Sequence, residues 1–407
     1  LIWQQGKTQA KWPRQGFLKD TAGELGKRRK TGILMKFKVI IITLIAILVL
    51  CIFATVLIGY SNLKYTSQNA VLRYISQHPQ NVAVACFNPN EPQRGFYHNN
   101  AETFPLASTF KVTILLGYAE QVAVGGLDPA EIIPVSALDA FYLPGTDGGA
   151  HPEFLKSLGD GRTSLTLDEV ADGMIIFSSN AATDYLLSRL KTVDWVELYG
   201  RLGLEKTSLP HSYLGLYLYM TNHETLLYDL ESLGPEATLA EQTRLEQLFV
   251  KDEAWRAIET RYATNLSNQA PLDVQKNITA EFGVRASADD LAKMMLAAYG
   301  YSDALTPAAQ TIARQHLEWP MQLNPQNATI FKALGVKSGA WPAVLTSAWY
   351  AEPLKYEPRV LVVLYRNLPD DYWNAWLAGM SQQTLEINVL NTANCALFAN
   401  ALTPIEP

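Results

Sequence analysis

Ser108 and Lys111 stand three residues apart in Ser108-Thr109-Phe110-Lys111. On a helix that spacing brings a hydroxyl and an amine to one face, about 5–6 Å apart between Cβ atoms. At a helix N-terminus the macrodipole favours negative charge developing on the Ser108 oxygen. Lys111 can take the hydroxyl proton only if its pKa is pulled down, by burial and by a second nearby cation. Lys337, in Lys337-Ser338-Gly339, is the candidate for that cation, and Ser178-Ser179-Asn180 lies between the two segments. Ser178 can relay a proton to a leaving nitrogen, while Asn180 offers an amide to a substrate carbonyl or to Lys111. The backbone N–H groups of Ser108 and Ala340 are the candidate oxyanion hole, in which each donor is worth roughly 10²–10³ in rate. The chemistry these residue types point to is nucleophilic acyl transfer through a serine ester.

Taken singly, each of these segments is weak. The same spacing of Ser and Lys recurs at Ser61–Lys64 and Ser188–Lys191, and Lys30-Thr31-Gly32 repeats the third pattern. Context separates them, because only Ser108 follows two strand-like runs, Val82 to Phe87 and Gly95 to His98, and opens a helix that stops at Gly125-Gly126. The ordinary reading of Ser108 and Lys111 is a helix cap and a surface lysine, and Ser and Asn also favour plain interhelical links. Thr166-Leu167-Asp168-Glu169 is a capping box opening a helix through Ile175, and Asn180 to Leu190, Val193 to Leu202 and Ala288 to Tyr299 read as further helices. Strand signals return at Leu334 to Lys337, Val344 to Ala351 and Arg359 to Arg366, and one long helical stretch from about Asp371 closes the chain. Strands at both ends with helices between predict an α+β fold: one antiparallel sheet with an all-helical lobe inserted. Phe141-Tyr142 before Pro144-Gly145 is a candidate cleft wall, with ordinary packing as the equal alternative. Cys86 and Cys395 read as buried apolar residues; a disulfide between them is open, since spacing does not fix their distance.

The charge distribution is uneven. Residues 1–38 carry a net charge of +8 and the remainder −14. An acidic main body argues against nucleic acid as a partner, which needs a basic footprint. The basic head is followed by Val39 to Gly59, 21 uncharged residues that as a helix would span about 31 Å, close to a bilayer's hydrocarbon core. A transmembrane anchor over 39–59 is therefore expected, with residues 1–38 cytoplasmic, 60–68 a tether, and residues 69–407 on the extracytoplasmic side of the cytoplasmic membrane. The alternatives are a cleaved signal peptide, for which no A-x-A-like site follows, and a lipoprotein cysteine at Cys51, preceded by the bulky Leu50. Met35-Lys36-Phe37-Lys38 reads as a start, so residues 1–34 are expected to carry no function. No cofactor is implied, and the His, Asp and Glu residues show no metal-ligand spacing.

The three motifs, their order and the lead-in Phe104-Pro105-Leu106-Ala107-Ser108 resemble the penicillin-recognising serine hydrolases, the class A β-lactamases most of all. The resemblance covers about Asn69 to Leu402. It implies a five-stranded antiparallel sheet flanked by helices plus an all-α lobe, with the active site at their junction. It implies that Ser108 is acylated, that Lys111 is its base or shuttle, and that Ser178 transfers the second proton. Asn180 would then contact the substrate amide, and Lys337, Ser338 and Gly339 would hold the substrate carboxylate. The implied partners are β-lactams or D-Ala-D-Ala-type peptides of peptidoglycan. Two departures stand out. Ser179 replaces the Asp usual in the second motif. Class A enzymes also carry a Glu about 35 residues after that motif's Ser to activate the deacylating water, whereas Thr207 to Leu216 here contains no carboxylate, only His211. About 50 residues beyond the family's need separate the last two motifs and are assigned to a helical insert at about 216–280. A lactam-acylated enzyme or a D,D-peptidase is thus expected, the alternative being a covalent sensor or degenerate binding domain that does not turn over.

Overall fold

The computed structural model describes residues 65–225 and 234–403. Its strands are β1 (Val82–Phe87), β2 (Phe96–His98), β3 (Phe104–Pro105), β4 (Ile132–Pro134), β5 (Ser164–Thr166), β6 (Arg285–Ala286), β7 (Phe331–Trp341), β8 (Val344–Pro353) and β9 (Arg359–Tyr365). Five of them form one antiparallel sheet in the order β2-β1-β9-β8-β7, so the two ends of the chain meet at its centre. The short pairs β3–β6 and β4–β5, with no alternating apolar pattern to announce them, lie outside it.

Every residue of β1 is buried. A strand covered on both faces needs an unbroken apolar run, and β1 divides it between two cores. Ala83, Ala85 and Phe87 pack on one side of the sheet, and Val82, Val84 and Cys86 on the other. The first core joins the sheet to helices Lys111–Ala123 and Ala288–Ala298 and to the helical lobe. The second is covered by helices Gln68–Gln77 and Ser381–Thr392 and by Phe398. Helix Lys111–Ala123 is buried continuously from Lys111 to Ala119, because it runs between sheet and lobe and has no solvent face. Thr166 and Glu169 form the capping box that starts Leu167–Ile175. Between 213 and 282 the described chain is helical, in Tyr213–Met220, Pro235–Lys251, Glu253–Ala263 and Leu272–Phe282.

The transmembrane helix expected with this fold is corrected. Among the described residues no helix is long and apolar enough to cross a membrane. The longest, Pro235–Lys251, has 17 residues and carries charges along its exposed side, short of the roughly 20 apolar residues a span requires. Residues 39–59, where that span was placed, lie outside the described ones. The single C-terminal helix is also corrected. It is three, Asp370–Gly379, Ser381–Thr392 and Ala396–Leu402, interrupted at Met380 (φ 50°) and Ala393 (φ 51°). Neither residue type favours a left-handed turn, so the breaks left no mark in the sequence.

Cys86 and Cys395 form a disulfide across 309 positions of sequence, joining β1 to the turn before the last helix. Replacing both by alanine is expected to lower the unfolding free energy by roughly 2–5 kcal/mol, read as a fall in the urea midpoint.

Candidate active site

Ser108 lies in the 3₁₀ turn Ala107–Phe110 that leads directly into helix Lys111–Ala123. Ala107 holds φ 48°, an uncommon conformation for a residue with a side chain. Its carbonyl accepts a hydrogen bond from the Tyr213 hydroxyl at 2.8 Å. Thr346 of β8 donates to the Leu106 carbonyl at 2.6 Å and, with its proton so engaged, accepts from Thr109 at 2.7 Å. Strand β7 presses on the same turn. A Cβ at Gly339 would sit 2.6 Å from the Ser108 nitrogen and 2.7 Å from that of Thr109. Gly339 therefore has no room for a side chain, and this close approach brings β7 against the turn that carries Ser108.

Lys111, fully buried, points its ammonium across the cleft to the second motif. Nζ donates to the Ser178 carbonyl at 2.6 Å, to Asn180 Oδ1 at 2.8 Å and to Ser178 Oγ at 3.3 Å. Ser178 itself takes φ 68°, which turns its hydroxyl between two amines, since Lys337 Nζ donates to it at 3.0 Å. Lys337 also donates to the Ser338 carbonyl at 3.0 Å. Asn180, the first residue of helix Asn180–Arg189, reaches Thr146 O with its amide nitrogen at 3.3 Å. Burial pulls the Lys111 pKa well below its ordinary value, and the neighbouring Lys337 charge lowers it further. Burial alone brings Lys337 down to about 7. Ser108, Ser178, Asn180, Lys337, Ser338, Gly339 and Ala340 all line one open cavity. All of the sequence-predicted site residues are thus brought together, Lys111 from just beneath the cavity floor.

Other expectations fare differently. The wall opposite β7 is the glycine-containing loop Gly145–Gly148, while Phe141 packs against Tyr185 and Tyr142 against His151. His211 contacts the Leu209 carbonyl at 3.2 Å and does not line the cavity. Ser179, fully buried, caps its helix by accepting from Ala182 N at 3.1 Å. The buried His151 completes this arrangement, 2.9 Å from Ser179 Oγ through Nδ1 and 3.3 Å from Asp139 through Nε2. All these groups are satisfied if Ser179 donates to Nδ1 and the ring proton sits on Nε2.

Three more residues carry the site without any local signature. Asp184, about one turn beyond Asn180, accepts the backbone N–H groups of Tyr213 and Leu214 at 3.0 and 2.7 Å. It thereby sets Tyr213 under the lysine, with Nζ of Lys111 4.9 Å from the ring centre. Burial pushes the Tyr213 hydroxyl far above its usual pKa, so it stays protonated. Glu246, on Pro235–Lys251, approaches Asp184; burial first, then the Asp184 charge, raise it to about 8. Among the described residues no group of three or more His, Cys, Asp or Glu is placed to hold a metal ion.

Comparison with known proteins follows this geometry. The fold is similar to a beta-lactamase from Sphaerobacter thermophilus, at 18% identity and a TM-score of 0.49 over 84% of this chain and 99% of that one. It is similar to a beta-lactamase from Chitinophaga pinensis at 15% identity and a TM-score of 0.48, over 79% and 99% of the two chains. The structure of PBP-A gives 16% identity and a TM-score of 0.46, over 79% and 95%. No curated protein matches the chain. The sequence model of the beta-lactamase enzyme family matches residues 66–323, well over half of the 407 residues and including Ser108, Lys111, Ser178 and Asn180. The chain therefore belongs to the beta-lactamase enzyme family.

Proposed function

We propose that Ser108 is a nucleophile acylated by β-lactams or D-Ala-D-Ala-type peptides, and that the ester it forms is long-lived. The observation that carries this reading is the buried pair of charge-suppressed lysines meeting at the Ser178 hydroxyl, in the cavity that Ser108 also lines. Neutral Lys111 accepts the Ser108 proton as Oγ adds to the substrate carbonyl. The backbone N–H groups of Ser108 and Ala340 receive the oxyanion. As the C–N bond breaks, Ser178 hands a proton to the departing nitrogen and recovers one from the Lys111 ammonium. Lys337 and Ser338 hold the substrate carboxylate, and Asn180 holds the acyl amide.

Removing the acyl group needs a base for water. Tyr213, next to Lys111, offers only a protonated phenol, which supports slow turnover, and with it the second reading of a covalent lactam sensor. The disulfide supports work on the extracytoplasmic side, where thiols are oxidised. Intact-mass analysis after exposure to benzylpenicillin tests the proposal. The expected result is a mass increase of one whole penicillin, absent in Ser108→Ala. No adduct on the wild type overturns it. A label that leaves within minutes supports turnover, whereas one that stays for hours supports the sensor.

The pH dependence has a definite sign. Lys337 binds a carboxylate only as the cation, and with a pKa of about 7 it loses that charge as pH rises. The second-order acylation constant, which reports the free enzyme, is expected to fall above about pH 7. Lys337→Arg keeps the charge and is expected to flatten that alkaline limb.

A further inference from the structure

The cavity that holds Ser108 does not end at Lys337. It continues along β7, past Trp319, onto the sheet face that carries Leu334, Val336 and Trp349, and it encloses about 900 Å³ in all. That is the upper end of the roughly 300–1,000 Å³ that small-molecule sites occupy. Its charged groups are unevenly placed. Lys337, with Ser178, Asn180 and Ser338, lies at one end, whereas the far stretch is bordered by Leu323, Leu377, Met380 and Ile387, with the uncharged amides of Asn324, Asn327, Gln382 and Gln383 among them. The four apolar residues are 66%, 40%, 48% and 41% exposed. Single exposed apolar side chains are ordinary, but a contiguous set along one groove marks a surface that binds something. Gln382 supplies an independent sign. It lines the same groove, is only 6% exposed, and its Oε1 has no hydrogen-bond partner. A buried acceptor left unmade is costly, and a ligand N–H would relieve it.

We propose that this groove is a subsite for an elongated apolar arm, alkyl or aryl, carried by the molecule that reacts with Ser108. The proposal rests on the acylation reading, since it names the substrate class of that same site. Continuity with the catalytic cleft selects this occupant: a ligand anchored at Ser108 and Lys337 enters the groove without crossing solvent. The arm lies against Trp319 and Leu323 on one side and Leu377 and Ile387 on the other. Gln382 accepts an N–H wherever the arm is amide-linked.

A series of n-alkylboronic acids from ethyl to octyl tests this on the full chain. Boron adds reversibly to a serine oxygen, and the alkyl group is free to choose its groove. Binding is read by quenching of tryptophan fluorescence, four tryptophans lining the cavity. Each methylene fully removed from water is worth up to about fourfold in affinity, so a gain of at least about 30-fold from ethyl to octyl is expected. Leu323→Asp and Leu377→Asp, both at the surface, are each expected to flatten the series. An affinity that stays level along the wild-type series overturns the proposal, as does a gain that survives in both variants. A chain-length gain together with no penicillin labelling would sink the acylation reading and leave the apolar subsite standing.

Discussion

Lys111→Met is expected to slow acylation of Ser108 by about 10³–10⁴-fold, near the top of what a positioned general base contributes. Methionine is close to lysine in volume, and the Lys111 side chain is wholly enclosed, so the substitution removes the amine without opening a large void. It also leaves Asn180 Oδ1 and the Ser178 carbonyl without the donor they share. The comparison that isolates the base is Lys111→Arg, which restores a donor to both acceptors but cannot shed its proton at neutral pH. Both variants should be slow if proton removal is the missing function. Stopped-flow labelling with a fluorescent penicillin measures the rate constant directly. A Lys111→Arg protein that acylates within tenfold of wild type would show that Lys111 acts by orientation alone.

Tyr213→Glu combined with Glu246→Gln is expected to shorten the life of the acyl-enzyme by at least about 100-fold, the lower range for general-base catalysis. The position is right for such a base, since the Tyr213 ring lies under Lys111 and its hydroxyl reaches the carbonyl of Ala107, next to Ser108. The electrostatics are not right in the single variant. Asp184 is already raised to about 6 and Glu246 to about 8 by burial. A third carboxyl beside them would be driven to its neutral form. Glu246→Gln removes one competitor at similar size, so the double variant should turn over and the single variant much less. Pulse labelling with fluorescent penicillin followed by an unlabelled chase gives the residence time. The Tm of each variant separates a failed reaction from a failed fold, because losing the Tyr213 hydrogen bond to a strained turn costs stability. A folded double variant that keeps its label for as long as wild type would show that something other than the missing base protects the ester.

The candidate site residues that meet in one cavity were legible because each sits in a short segment whose spacing has a direct geometric meaning. Ser108 and Lys111 are one turn apart, and Ser178 and Asn180 flank a helix start. The central strands were legible for a similar reason: β1, and β9 from Val360 onward, are unbroken apolar runs, buried on both faces. The supporting contacts were not. Asp184 acts on Tyr213, and Thr346 acts on Leu106 across 240 positions. Such partners are chosen by tertiary packing and carry no local periodicity. The need for glycine at 339 is likewise invisible until the turn that carries Ser108 is seen 2.6 Å from its missing Cβ. His151 stayed hidden because it serves the second motif from 28 positions upstream of Ser179, on a helix of its own. In both the disulfide and the divided C-terminal helix, the deciding fact was a distance or a backbone angle.

The covalent link between residues 86 and 395 also sets an order of events. A chain emerging from N- to C-terminus presents its first thiol early and its second only when the sheet's last strand, β9, and two later helices have already appeared. Formation of this bond therefore marks completion: truncated products lack Cys395 and cannot make it. A gel-mobility shift on thiol alkylation would thus count molecules that carry this bond separately from those that do not.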